Sequence, residues 1–182
     1  MRAETGETVL IGAGGLSENT AVSISRINVA DVANLTPAPA ALEAVGAFTL
    51  DVGTSLTDYA LQLAIPMQAG LAAQPGEEVW FLRKGTVLTS NGTYQDTWWL
   101  VDNGYVGTDA QGNQIVRTAS PPYGGLDASG EYMVVKRIPG VISGSLDLVL
   151  AGGSWATFGG FGGLGIGVSI ASSVTSEMIA IV

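Results

Sequence analysis

Pro75-Gly76, Glu78-Val-Trp-Phe-Leu-Arg83, Asn91-Gly92 and Thr97-Trp-Trp-Leu-Val101 follow one another along the stretch that decides the fold class. Each apolar run is short and rich in aromatic or branched side chains. Pro-Gly and Asn-Gly supply backbone conformations that reverse a chain between extended segments. The pattern is therefore turn, strand, turn, strand. No apolar face with a 3.6-residue period and the length of a stable helix occurs anywhere in the chain.

Working outward, the same grammar continues in both directions. Upstream, Thr20-Ala-Val-Ser-Ile-Ser25 alternates, with Val22 and Ile24 on one side, as do Ala47-Phe-Thr-Leu-Asp-Val52 and Tyr59-Ala-Leu-Gln-Leu-Ala-Ile65, which Pro66 ends. Residues 27–35 are open between a continued strand and a short turn of helix. Pro37 and Pro39 mark a connection, and Ala40-Ala-Leu-Glu-Ala-Val45 holds helix formers but is too short for an independent helix. Downstream, Asn103-Gly104 is a hairpin or bulge candidate, Asp109-Ala-Gln-Gly112 is a turn, and Pro121-Pro-Tyr-Gly-Gly125 is a loop. Tyr132-Met-Val-Val-Lys136 is another strand.

This rhythm predicts an all-β fold, an antiparallel β-sandwich with Greek-key or meander connections and no long helices. It divides the chain into a partial β unit at 1–36, a linker at 37–45, a central sandwich at 46–137 and a glycine-rich β tail at 138–182. A weak internal echo, strand, glycine corner, turn and strand, links residues 10–24 with 64–81. It suggests that residues 1–36 end one sandwich and that Gly46 begins another.

Composition narrows the chemistry. The 182 residues are 47% hydrophobic, enough for a packed β core. Sixteen acids against seven bases give a net charge of -9, which disfavours nucleic acid. Cysteine and histidine are absent, so thiolate nucleophiles, imidazole bases and zinc sites of the usual kinds are excluded. Carboxylate chemistry and calcium stay open. Asp96, Asp102 and Asp109 flank turns, but their spacing matches no compact calcium loop, and turn roles suit them better.

Glu77 with Glu78, and Asp127 with Glu131, are the nearest approaches to a catalytic carboxylate pair. Neighbours along a strand point apart, so the first is poorly built for acid and base work. Arg83-Lys84 and Lys136-Arg137 fit solvated strand ends. The glycine run at 159–165 lacks the Gly-Lys-Ser or Gly-Lys-Thr ending of a phosphate loop. The expectation is a noncatalytic protein with no cofactor and no metal.

Two groups are candidates for contact. Trp98 and Trp99 must face opposite sides of a strand, and with Tyr123 they could meet a glycan or a protein. The alternative is that both are packed, one in the core and one under the Pro121-Pro122-Tyr123 loop. The second group lies in the tail, where residues 148–176 carry no charge and Gly165-Ile-Gly-Val-Ser-Ile-Ala171 alternates small and apolar residues. Gly165, Ile166, Gly167 and Val168 are the expected assembly contact. The many glycines favour buried β structure over membrane insertion.

Tyr59-Ala-Leu-Gln-Leu-Ala-Ile-Pro-Met-Gln-Ala-Gly-Leu71, followed by Glu78-Val-Trp-Phe81, resembles the strand, Ile-Pro, glycine-corner, strand signature of the β-sandwich domain shared by ankyrins and netrin receptors. Residues 10–24 resemble a degraded copy, with Gly12 in place of proline. The resemblance implies a module of the kind found in large bacterial surface proteins. The self-cleavage known in some relatives uses a histidine and does not carry over.

Together these features predict a noncatalytic structural or adhesive module that acts through protein contacts or self-association in a fibre or surface assembly. A carbohydrate-binding or carbohydrate-active module using surface aromatics is the alternative, and a membrane-inserting tail is the second. The start, Met-Arg-Ala-Glu-Thr-Gly-Glu-Thr, lacks the apolar core of a secretory signal. A full-length chain with this start is expected in the cytoplasm, and a fragment of a larger protein is expected to be secreted or on the cell surface.

Overall fold

The computed structural model describes residues 1–12, 15–16, 20–35, 42–53, 57, 59–67, 73–88, 92–120, 123–137, 146–150, 154–159 and 167–171. The strands are β1 (Thr8–Leu10), β2 (Ser23–Arg26), β3 (Leu42–Asp51), β4 (Gln62–Pro66), β5 (Glu78–Leu88), β6 (Tyr94–Thr108), β7 (Gln114–Thr118), β8 (Gly130–Arg137), β9 (Leu146–Leu150), β10 (Ser154–Gly159) and β11 (Gly167–Ala171). Among the described residues there is one helix, α1 (Val29–Leu35), between β2 and β3 in chain order. Asn28 starts it by accepting the Ala30 N–H on its side-chain oxygen at 3.0 Å.

The first eight strands form one continuous antiparallel path, β1-β4-β7-β6-β5-β8-β3-β2. Its two ends meet through side chains. Arg26 of β2 donates from Nε to Glu7 Oε1 at 2.7 Å and from Nη2 to the Thr5 carbonyl at 3.0 Å, beside the start of β1. Glu7 is buried and also accepts the Thr5 hydroxyl. A charged clasp therefore spans the gap where a closed barrel would have a hydrogen-bonded ladder.

This arrangement corrects the expected sandwich. The sheet curls into a nearly closed barrel rather than splitting into two facing layers, and the implied kinship with the ankyrin and netrin-receptor sandwich goes with it. The physical reason lies in the core. One inner apolar cluster draws on all eight strands, from Val9 of β1 and Ile24 of β2 to Phe48, Ile65, Phe81, Val106, Val116 and Val134. Alternation reports that each strand has an apolar face, and both architectures satisfy it. Register irregularities between Ala44 and Gly46 and between Phe81 and Leu82 add local twist, which helps a sheet to curl.

Inside, Phe48 stacks on Tyr132 with centroids 5.1 Å apart and meets the Phe81 edge at 6.4 Å. Tyr132 donates its hydroxyl to the Ala128 carbonyl, and burial raises its pKa to about 12. Gly104 lets β6 approach β7, because a Cβ there would lie 2.0 Å from the Arg117 carbonyl oxygen. The Asn103-Gly104 pair is thus no hairpin, and β6 runs straight through it.

A second apolar layer lies outside the barrel. Trp80, Leu82, Trp98, Leu100, Met133 and Val135 project from β5, β6 and β8. Ile27, with Val29 and Val32 of α1, packs on this layer. Leu42 and Ala47 join it from β3, which is why the helix-forming residues near 40–45 feed a strand beginning at Leu42. Burial of these side chains outweighs a local propensity worth a fraction of a kcal/mol per residue.

Candidate contact surface

Among the described residues the β5–β6 hairpin is the longest pairing, running from Glu78↔Tyr105 to Leu88↔Tyr94. β8 accompanies β5 only at residues 80–83, so the outer part of the hairpin reaches beyond that pairing. Lys84 braces it by donating to Glu131 at 3.0 Å, with Asp96 at 3.9 Å. Near the tip, Leu88 is 54% exposed and Tyr94 75%.

The Trp98-Trp99 pair sits in this hairpin, and the two rings do face opposite sides. Trp98 is 1% exposed and belongs to the outer layer, where half-buried Tyr123 packs against the same cluster. Burial, with the nearby charges of Glu78 and Asp102, raises the Tyr123 pKa. Trp99 packs on the inner cluster, and its indole lies over Gly85, where a Cβ would come within 2.4 Å of Nε1. Pro121 and Pro122 lie outside the described residues. Among the described residues the well-exposed aromatic rings are instead those of Tyr94 and Tyr105, which belong to the same aromatic group of the sequence as Trp98, Trp99 and Tyr123, and of Tyr59, which does not.

The tail reaches the same place. β9 pairs in parallel with β6, Val149 opposite Trp99 and Leu150 opposite Leu100. β10 pairs with β9, and β11 with β10, Gly167 opposite Gly159 and Val168 opposite Phe158. Among the described residues β11 has no partner beyond β10. Gly167 and Val168 of the expected assembly contact open this strand, whereas Gly165 and Ile166 lie outside the described residues. No helix among the described residues is long and apolar enough to cross a membrane.

The acids proposed for turns occupy three unrelated settings. Asp96 is exposed beside Lys84. Asp109 closes the β6–β7 turn, accepting the Gln111 and Asn113 N–H groups and the Asn113 amide; that amide bond leads the causes that lower its pKa. Asp102 is buried, accepts Ser120 Oγ at 2.5 Å and the Asn103 N–H at 2.8 Å, and has its pKa raised to about 6 by desolvation. Its hydrogen bond to Ser120 and the Ala119 N–H bond to the Asn103 carbonyl fasten the segment after β7 against β6. No group of three metal-ligating side chains occurs among the described residues.

The four acids nearest to catalytic pairs hold structural partners. Glu77 lies 3.9 Å from Lys136 and accepts the Gln74 N–H, and Glu78 accepts the Asn103 amide. Asp127 lies 3.6 Å from Arg83, and Glu131 binds Lys84.

Comparison with protein-family models, with curated proteins and with solved structures finds no match for this chain. The ankyrin and netrin-receptor resemblance therefore gains no support from known proteins, and the contact surface stands on its own geometry.

Proposed function

We propose that this chain is a noncatalytic structural module that self-associates by adding strands at β11. The observation that carries it is that β11 pairs with β10 alone among the described residues, within a stretch, residues 148–176, that holds no charged residue. An edge strand exposes unpaired backbone donors and acceptors, and proteins that remain monomeric commonly protect such edges with charge, proline or a cover. Gly167-Val-Ser-Ile-Ala171 has no charge and no proline. Strand addition needs little beyond backbone pairing and alternate side-chain contacts, so a second β11 is a suitable partner.

The barrel suits a supporting role. Its ion pairs tie β5 to β8 and β8 to β3 and clasp the two ends of the sheet, and Asp102, the one carboxylate among the described residues whose pKa burial raises strongly, is held by Ser120.

The test is light scattering of the whole chain across a concentration series, alongside Val168→Lys and Ile170→Lys. Association that both lysine variants abolish, while the thermal melt of the barrel is unchanged, is the expected result. A monomer at every concentration, or association indifferent to both substitutions, overturns the proposal.

A further inference from the structure

A groove of about 570 Å³ crosses the outer face of β1, β4 and β7. Its floor and walls follow from strand register. Arg2 bridges to Thr8, Thr8 pairs with Ala64, and Ala64 pairs with Arg117, so these four residues form one lateral row. All four line the groove, with the small side chains of Thr8 and Ala64 between the two arginines. Leu10, Pro66 and Ile115 give it apolar sides.

The charge pattern singles out this row. Arg26, Arg83, Lys84 and Lys136 each have an acid within 4 Å, and Arg137 has an interaction of its own. Arg2 and Arg117 form no ion pair among the described residues, although the chain carries sixteen acids. Asp109 is the carboxylate that also lines the groove. It is exposed to the field of Arg2, but three donors of its own turn already occupy it. Two guanidinium groups are therefore available to an external anion, with an apolar surface between and beside them.

We infer that this groove binds an extended acidic peptide segment with carboxylates at positions i and i+4 and an apolar residue at i+2. Three strand spacings separate Arg2 from Arg117, about 14 Å. Four residues of extended chain span about 13 Å, and i, i+2 and i+4 project from the same face. Each terminal carboxylate then meets one guanidinium in forked geometry, and the middle side chain lies over Ala64 and the Thr8 methyl, midway along the row. This surface is formed by other strands than β11, so the inference does not depend on the self-association proposed above.

The experiment is fluorescence anisotropy with the whole chain and a labelled peptide carrying two glutamates four residues apart and a leucine midway. Saturable binding is expected, weakened at least ten-fold by Arg117→Gln, by Arg2→Gln and by glutamine in place of the peptide glutamates. Arg117→Lys is expected to retain part of it, and added salt to reduce it. Circular dichroism melts confirm that each variant is folded, and because the two arginines lie on different segments, loss of folding in one variant leaves the other decisive. Equal binding of the glutamine peptide, indifference to both arginine substitutions, or arginine-dependent binding of an oligouronate with none of the peptide would overturn the inference.

Discussion

The inner and outer faces of the barrel sheet are built to different plans. Every strand from β1 to β8 contributes to the inner cluster, whereas the outer cluster is confined to β3, β5, β6 and β8, with α1 and Tyr123 against it. Strands buried on both faces become near-continuous apolar runs, such as Val79-Trp-Phe-Leu82 and Met133-Val-Val135. On the opposite side, Gln62–Pro66 alternates exposed or half-buried with buried residues, and its outer face is the polar groove with Arg117. The inner face thus holds the barrel together, while the outer face is divided between a covered apolar half and an open charged half.

The largest expected effects come from emptying either apolar layer. Phe81→Ala on the inner face and Trp98→Ala on the outer face should each cost about 3–5 kcal/mol in urea denaturation, as for other buried aromatic truncations. A cost below about 1 kcal/mol for Trp98→Ala alone would break the comparison, because it would mean the outer layer is loosely covered.

Asp102 is the charged exception on the Phe81 side of β6, where it pairs with that residue. Its folded pKa of about 6 lies above the ordinary 3.8, so the protonated acid favours the folded state. That stabilisation is fully present below about pH 3.8 and is lost as pH rises through 6. A shift from 3.8 to about 6 corresponds to a destabilisation by the ionised group of at most about 3 kcal/mol at pH 7. Asp102→Asn should therefore stabilise the protein at pH 7 and lose most of that advantage by pH 4. Urea midpoints at the two pH values check it, and a variant less stable at pH 7 than at pH 4, relative to the parent, would reverse the sign.

A smaller effect is expected at the seam. Arg26→Gln leaves Glu7 buried with the Thr5 hydroxyl as its remaining bond, at a cost of about 1–3 kcal/mol, moderated because Arg26 is partly exposed. Hydrogen exchange should quicken first in β1 and β2. Uniform protection across the sheet would show that the seam is held by the core alone.

Much of this was legible locally. Trp98 and Trp99 facing opposite ways, the Asp109 turn and the strands at Glu78 and Tyr132 all follow from period-two alternation and turn chemistry. Other features were hidden. Asn103-Gly104 has a turn signature, yet Gly104 serves a close approach between β6 and β7 that only the distant Arg117 carbonyl makes necessary. Arg2 and Arg117 are 115 positions apart and share no motif; the register through Thr8 and Ala64 alone brings them into one row. Asp102 resembled any acid near a turn until Ser120 and burial gave it a distinct environment.

The sequence by itself determined an all-β, antiparallel chain without long helices, because alternation and turn residues act over a few positions. Only the tertiary structure decided between sandwich and barrel. That choice depends on whether β1 and β2, at opposite ends of one sheet, come close enough for Arg26 to reach Glu7. No local pattern encodes that distance, since it accumulates from the twist of every strand between them.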